Sequence, residues 1–319
     1  MRSARGRWSQ LAEVGSARAM RCAAGFHRHL GRRPTLVAAA ITCAYFYARN
    51  GTARRASRRY LERLAASPEG RAALGRVPDF RNGVRHFFEF AVNLLDRMIA
   101  WGGSYDVMSF EHDGSGHIFE LARTGRGALL LGAHLGSFDM FGFVARRYDL
   151  VVNVVVFHQN AERINRFLES LGSEKVRLIQ LDPNSIGAVF QIRACLARGE
   201  FVAMLADRVP PGATGPTAEM SFLGGLAQFS LGPFLLAGLL ECPVYLALCV
   251  RTGDSNYTTL MRPLAPAERV PRIEREKRAR EVLARYVLLI ESICQRHPYQ
   301  WFNFYDFWGD DPNREQAPR

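Results

Sequence analysis

Ala128-Leu129-Leu130-Leu131-Gly132-Ala133-His134-Leu135-Gly136-Ser137-Phe138-Asp139 is the stretch whose reading decides the fold. Its apolar run is too short for a buried helix and ends in a glycine-punctuated turn, which is how a buried strand of an α/β sheet reads. The turn carries one histidine. A carboxylate follows five residues later, where the next helix is expected to begin. An imidazole and a carboxylate at a strand-to-helix turn can form a general-base pair, because one ring nitrogen is held while the other takes a proton. The alternative is a histidine bonded to a backbone carbonyl beside an aspartate that merely starts a helix. The spacing leaves both open.

Outward from this stretch the pattern alternates. Strands are predicted at 150–157, 176–180, 201–205, 244–250 and 257–261. Helices are predicted at 138–147, 161–170, 184–197, 229–240 and 274–296, with a further amphipathic helix at 80–101, an Arg-rich helix at 53–66 and a loop at 68–78. Alternation of this kind implies an α/β fold with a mixed, largely parallel sheet covered on both faces. Active sites of such sheets gather where strands end. His134, His158 and Asp207 are all placed at predicted strand ends.

The net charge of +12 is concentrated at one end. Residues 1–66 hold fourteen arginines and two glutamates, so the remainder is neutral. This segment is read as a basic, hydrophobic, membrane-associating helical extension, residues 67–310 as the α/β domain, and 311–319 as a disordered tail. Thr35 to Ala48 is apolar for fourteen residues, about 21 Å as a helix against a hydrocarbon core of about 30 Å. A monotopic insertion, or packing on the domain, is therefore favoured over a membrane span. An anionic membrane surface suits this arm better than nucleic acid, because the basic residues are interrupted by apolar ones and lysine occurs only at 175 and 277. The six cysteines are scattered with no C-x-x-C pair. They read as buried free thiols of a reducing compartment, with no metal site.

Gly132-x-His134-x-Gly136-x-Phe138-Asp139 resembles the catalytic block of the lysophospholipid acyltransferase superfamily, in the branch of the lipid A lauroyl and myristoyl acyltransferases. Ala206-Asp207-Arg208, then Ser221-Phe222-Leu223-Gly224-Gly225, then Ser230 to Ala237, then Pro243-Val244 resemble its further blocks in order. The tail Gln300-Trp301-Phe302-Asn303-Phe304-Tyr305-Asp306-Phe307-Trp308 departs from the Arg-rich ending of the lipid A enzymes. It is similar to acyltransferases of aryl polyene and flexirubin clusters.

The resemblance implies a glycerol-3-phosphate acyltransferase-like αβα sandwich. It also implies transfer of a fatty or polyene acyl group from acyl carrier protein or coenzyme A to a hydroxyl of a lipid or glycolipid. His134 would be the base and Asp139 its orienting carboxylate. Backbone N–H groups at Gly136 and Ser137 would meet the oxyanion. His158, Gln159, Asn160, Arg163, Asp207, Arg208, Phe222 and Gly224 would contact substrates. No cofactor is implied beyond the acyl thioester, and no metal. The expected location is the cytoplasmic face of a bacterial inner membrane. Two other classes stay open: a thioester or lipid hydrolase of the same fold, and a non-catalytic basic membrane-binding protein. The aromatic tail is read either as a core-closing strand or as an exposed feature, a wall of the acyl channel or an interfacial aromatic patch.

Overall fold

The structure is a computed structural model that describes residues 29, 31–101, 108–138, 140–157, 175–181, 187–210 and 215–309. Its chain runs through helices α1 (Arg32–Arg49), α2 (Gly51–Ala66), α3 (Pro68–Leu74) and α4 (Phe80–Trp101) before the first strand. Then follow β1 (Ser109–Asp113), α5 (Gly116–Arg123), β2 (Leu129–Gly132), α6 (Met140–Arg147), β3 (Val152–Phe157), β4 (Val176–Leu181), α7 (Gly187–Ala197) and β5 (Phe201–Leu205). A hairpin of β6 (Thr217–Phe222) and β7 (Gly225–Ser230) comes next. The described chain closes with α8 (Gly232–Leu240), β8 (Val244–Arg251), β9 (Asn256–Ala265), α9 (Arg275–Arg296) and the aromatic tail, an extended strap over residues 300–308.

The seven-stranded sheet has the order β1-β9-β8-β2-β5-β3-β4. Every pair in it is parallel except β8 with β9. The α/β class expected from the alternation is thus observed. Side chains alternate across the sheet, as the two-residue strand period requires. Leu129 and Leu131 of β2 face one layer with Phe234 of α8, Ile290 of α9 and Ile192 of α7. Leu130 faces the other layer with Ile118 and Leu121 of α5 and Ala145 of α6.

Tyr60, Leu61 and Leu64 of α2 also enter the first of these layers, fully buried. This face of α2 thus shares a core with the sheet. Arg32 at the start of α1 forms a bidentate ion pair with the buried Asp96 of α4. Tyr257 Oη donates to that same carboxylate at 2.7 Å. Among the described residues no helix is long and apolar enough to cross a membrane.

The loop expected at 68–78 is instead mostly helix, because its ends carry helix punctuation. Ser67 Oγ accepts the Gly70 N–H at 3.0 Å, Pro68 occupies the first turn, Glu69 sits at the positive end of the helix dipole, and Gly75 terminates it at φ 70°. The hairpin at 217–230 and the strand at 109–113 were not apparent in the alternation. The hairpin turn puts Leu223 at φ 49° and Gly224 at φ 70°, and Glu291 of α9 accepts the Leu223 N–H at 2.8 Å. Tertiary anchoring here supports a non-glycine residue in the left-handed region. The described cysteines, Cys43, Cys195, Cys242, Cys249 and Cys294, are buried free thiols. Burial pushes Cys43 and Cys242 up to about 11.

His86 of α4 pins the strap. Its Nε2 donates to the Trp301 carbonyl at 2.9 Å, and its Nδ1 faces Ser57 Oγ at 2.9 Å. Burial lowers this imidazole to about 4, against the opposing pull of the Trp301 carbonyl. The folded state therefore takes up no second ring proton at His86 between its ordinary value of 6.5 and about 4, while the unfolded chain does. Its stabilising effect is complete above about 6.5 and declines as pH falls through that window, by about 3 kcal/mol. Thermal midpoints measured from pH 7 to pH 4 should fall for the wild type and fall less steeply for His86→Gln. Equal slopes would show that His86 is not the group responsible.

Candidate active site

The backbone of β2 ends at Gly132, and His134 follows at the carboxyl edge of the sheet. The Gly132 carbonyl accepts two donors, the Ala206 N–H at 3.0 Å and the buried Tyr286 hydroxyl at 2.8 Å. Parallel pairing of β2 with β5 sets Gly132 opposite Leu205. Asp207, two residues beyond that position, therefore arrives beside His134.

Three donors converge on the Asp207 carboxylate. His134 Nδ1 lies 2.8 Å from Oδ1, the His134 backbone N–H donates to Oδ2 at 3.0 Å, and Asn303 Nδ2 donates to Oδ2 at 3.0 Å. Asp207 is completely buried. Burial alone would raise its pKa, yet the carboxyl is held below the usual carboxylate range by His134, through its hydrogen bond and, once the ring is protonated, its charge, and by the nearby Arg208 and the Asn303 amide. An ionised carboxylate only accepts, so the proton of the neutral imidazole sits on Nδ1 and the lone pair on Nε2. The His134 side chain is 28% exposed, so the ring is not sealed in the core. A tautomer fixed with its basic nitrogen at Nε2 is what a general base requires.

From its other side His134 is held by the aromatic strap. The Phe302 N–H donates to the His134 carbonyl at 2.8 Å, and Leu135 and Trp301 form an antiparallel bridge. Trp301 is fully buried among Tyr60, Phe222, Phe307 and Trp308. Of the two readings of the tail, core closing is thus the one the packing supports.

Several expected roles change. The Gly136 N–H donates to the Gln300 carbonyl at 2.8 Å and the Ser137 N–H to the Cys249 carbonyl at 2.7 Å. Both groups are spent on the strap and on β8, so they do not form the expected oxyanion cradle. Gly136 is required for a different reason: at φ 71° a Cβ would meet the Cys249 carbonyl oxygen at 2.1 Å. Phe222 is fully buried and packs in the aromatic core against Trp301, Phe307 and Trp308. Gly224 serves the β6–β7 turn. Asp207 is committed to His134. Arg208 is drawn into the strap: its Nε donates to Asn303 Oδ1 at 2.5 Å, a further nitrogen donates to the Phe302 carbonyl at 3.1 Å, and the guanidinium lies 5.5 Å from the Tyr305 ring centre. Asp139, His158, Gln159, Asn160 and Arg163 lie outside the described residues.

Sequence reasoning placed Asp207 at a strand end but did not pair it with His134. Strand adjacency was the missing information. Asn303 was missed altogether. The one polar side chain between Phe302 and Phe304 in an otherwise aromatic run was the available signal. Elsewhere, His112 is occupied by Thr259 and by Tyr148 at 2.6 and 2.7 Å. Among the described residues no cluster of side chains could hold a metal ion.

No curated protein matches this chain. Residues 96–309 match the family described as bacterial lipid A biosynthesis acyltransferase. That span covers most of the chain and includes His134, Asp207, Arg208, Asn303 and the strands that bring them together. The chain therefore belongs to this family and is an acyltransferase of lipid biosynthesis, moving an acyl group to a lipid acceptor.

Proposed function

We propose that the protein transfers a fatty or polyene acyl group from a thioester, carried by acyl carrier protein or coenzyme A, to a hydroxyl of a lipid or glycolipid, with His134 as the base. The observation that carries this reading is the Nδ1 contact of His134 with the buried Asp207 carboxylate. His134 Nε2 takes the hydroxyl proton as the oxygen attacks the thioester carbonyl. The C–O bond forms, the C–S bond breaks, and the departing thiolate receives the proton from the imidazolium. Asp207 fixes the tautomer and stabilises the imidazolium in between. Asp139 is the second carboxylate that the family resemblance assigns to the same ring. The scheme uses no metal or cofactor besides the thioester. The departure of the strap from the Arg-rich lipid A ending points to an acceptor other than lipid A, as in the aryl polyene enzymes.

The test is to supply purified protein with acyl carrier protein loaded with a radiolabelled acyl group, alone and with a lipid extract. One ester formed in the lipid fraction for each thioester lost, and little loss without lipid, is the expected result. Equal thioester loss in both, released as free acid, would make the protein a hydrolase.

Membrane contact at the cytoplasmic face of the inner membrane belongs to the same proposal. Val37, Ile41 and Tyr45 recur every fourth residue along α1 and are 61%, 67% and 60% exposed. Arg33 and Arg49 flank this stripe and are exposed too. Such a face suits an anionic bilayer surface. Burying an aliphatic side chain contributes about 1.5–3 kcal/mol. Val37→Asp with Ile41→Asp should therefore weaken sedimentation with phosphatidylglycerol vesicles at least about tenfold. Undiminished binding would place the contact elsewhere.

A further inference from the structure

The strap contributes one buried polar side chain to the site, and its role extends the acyl-transfer reading, on which this inference rests. We propose that Asn303 is a positioning residue of the acyl-transfer site, setting the Asp207 carboxylate for His134 and coupling it to Arg208. The amide is 1% exposed. Its two ends are distinguished by their partners. Nδ2 donates to Asp207 Oδ2 at 3.0 Å, and Oδ1 accepts from Arg208 Nε at 2.5 Å. A carboxylate cannot donate and a guanidinium cannot accept, so the amide has one orientation and cannot flip.

That orientation fixes the rotation of the carboxylate. With Oδ2 held by Asn303 and by the His134 backbone, Oδ1 is left in position for His134 Nδ1. The backbone on which the amide rides is itself pinned to the site. The preceding residue, Phe302, bonds the His134 carbonyl, and the following ring, Phe304, packs 4.7 Å from both His86 and Phe87. Asn303 thus acts through Asp207 and does not itself meet the reacting atoms. An aliphatic residue would leave both a buried carboxylate oxygen and a guanidinium nitrogen without their partners. An aspartate would keep the Arg208 bond and set two carboxylates against each other.

Asn303→Asp separates this role from simple core filling, because shape is retained while the donor is lost. Among the described residues, the charged and titratable groups around Asp207 are His134 and Arg208, with the hydroxyls of Tyr286 and Tyr305 and the Cys294 thiol nearby. A second negative charge among them holds the imidazole proton more tightly. The variant is expected to lose about 10–100-fold in kcat, with KM for the acyl donor changed less than about twofold. The acid limb of its kcat profile should move to higher pH. Asn303→Ala, which adds no charge, should show the loss in kcat without the displaced limb, and it carries the test if the aspartate variant does not fold.

A second readout is independent of turnover. In a 15N–1H spectrum of histidine-labelled protein, the His134 Nδ1–H resonance should shift in either variant while the His86 resonance stays in place. If wild-type protein transfers no acyl group, the functional reading fails, and this spectrum alone decides the Asn303 role. A folded variant with wild-type kcat, or an unmoved His134 resonance, would overturn the proposal.

Discussion

Replacement of His134 by alanine is expected to lower acyl transfer about 100- to 10,000-fold, the range that a positioned general base contributes. The loss should lie in kcat, because in the proposed mechanism Nε2 acts on the proton that leaves in the transition state. KM for the acyl donor should stay close to the wild-type value. Folding should survive, since the two backbone bonds of residue 134, from its N–H to Asp207 and from the Phe302 N–H to its carbonyl, do not involve the ring. Asp207 would retain the Asn303 amide as a side-chain donor. The stability cost is then that of one lost charge-assisted bond, about 1–3 kcal/mol. Rate measurements and a thermal melt of the same preparation separate the two effects. A folded variant with undiminished turnover would remove His134 from the mechanism.

Asp207→Asn should be nearly as damaging, and for a reason specific to this site. Three donors meet the carboxylate: His134 Nδ1–H and the His134 backbone N–H on one residue, and the Asn303 amide on the other. An asparagine has one acceptor end. Turned toward Nδ1–H, it sets its own NH2 against two N–H groups. Turned the other way, it sets that NH2 against the imidazole and favours the tautomer with the proton on Nε2, where the base must be unprotonated. Either arrangement is costly, and a loss of about 1000-fold or more in kcat is expected.

Substitution should also change the acid behaviour of the fold. The Asp207 carboxyl is held down in the native state, so its ionised form stabilises the protein fully above its ordinary value of 3.8 and is lost as pH falls below it. The Asp207→Asn protein should lack that part of the acid dependence. An unchanged acid melt would show that Asp207 is not the ionised group described.

The layers of the fold were legible because they are written in local periodicity. Leu129, Leu130 and Leu131 mark a buried strand, and Val282, Tyr286, Ile290 and Ile293 mark the inward stripe of α9. The helix at 80–101 was legible end to end. The hairpin at 217–230 was not, because Leu223 holds a positive φ that nothing in its own side chain predicts and that depends on Glu291 far along the chain. The site divides in the same way. His134 stood out from its strand-to-turn setting. Its partnership with Asp207 depends on β2 lying beside β5, a fact of topology that spacing does not encode. The resemblance made Gly136 and Ser137 oxyanion donors, and it did not reveal that the strap and β8 take the same N–H groups. Asn303 lay hidden because a lone amide in an aromatic run gains meaning only once the run is folded against the sheet edge.

In the proposed mechanism His134 and Asp207 act as one base. The most direct measurement is a double-mutant cycle in kcat/KM for acyl transfer, using His134→Ala, Asp207→Asn and the protein carrying both. Groups that act as a unit are strongly non-additive, since losing either removes the shared function. The double variant should be no slower than His134→Ala alone, within about threefold. A double variant slower by the product of the two single effects would contradict the pairing and make the two residues independent contributors.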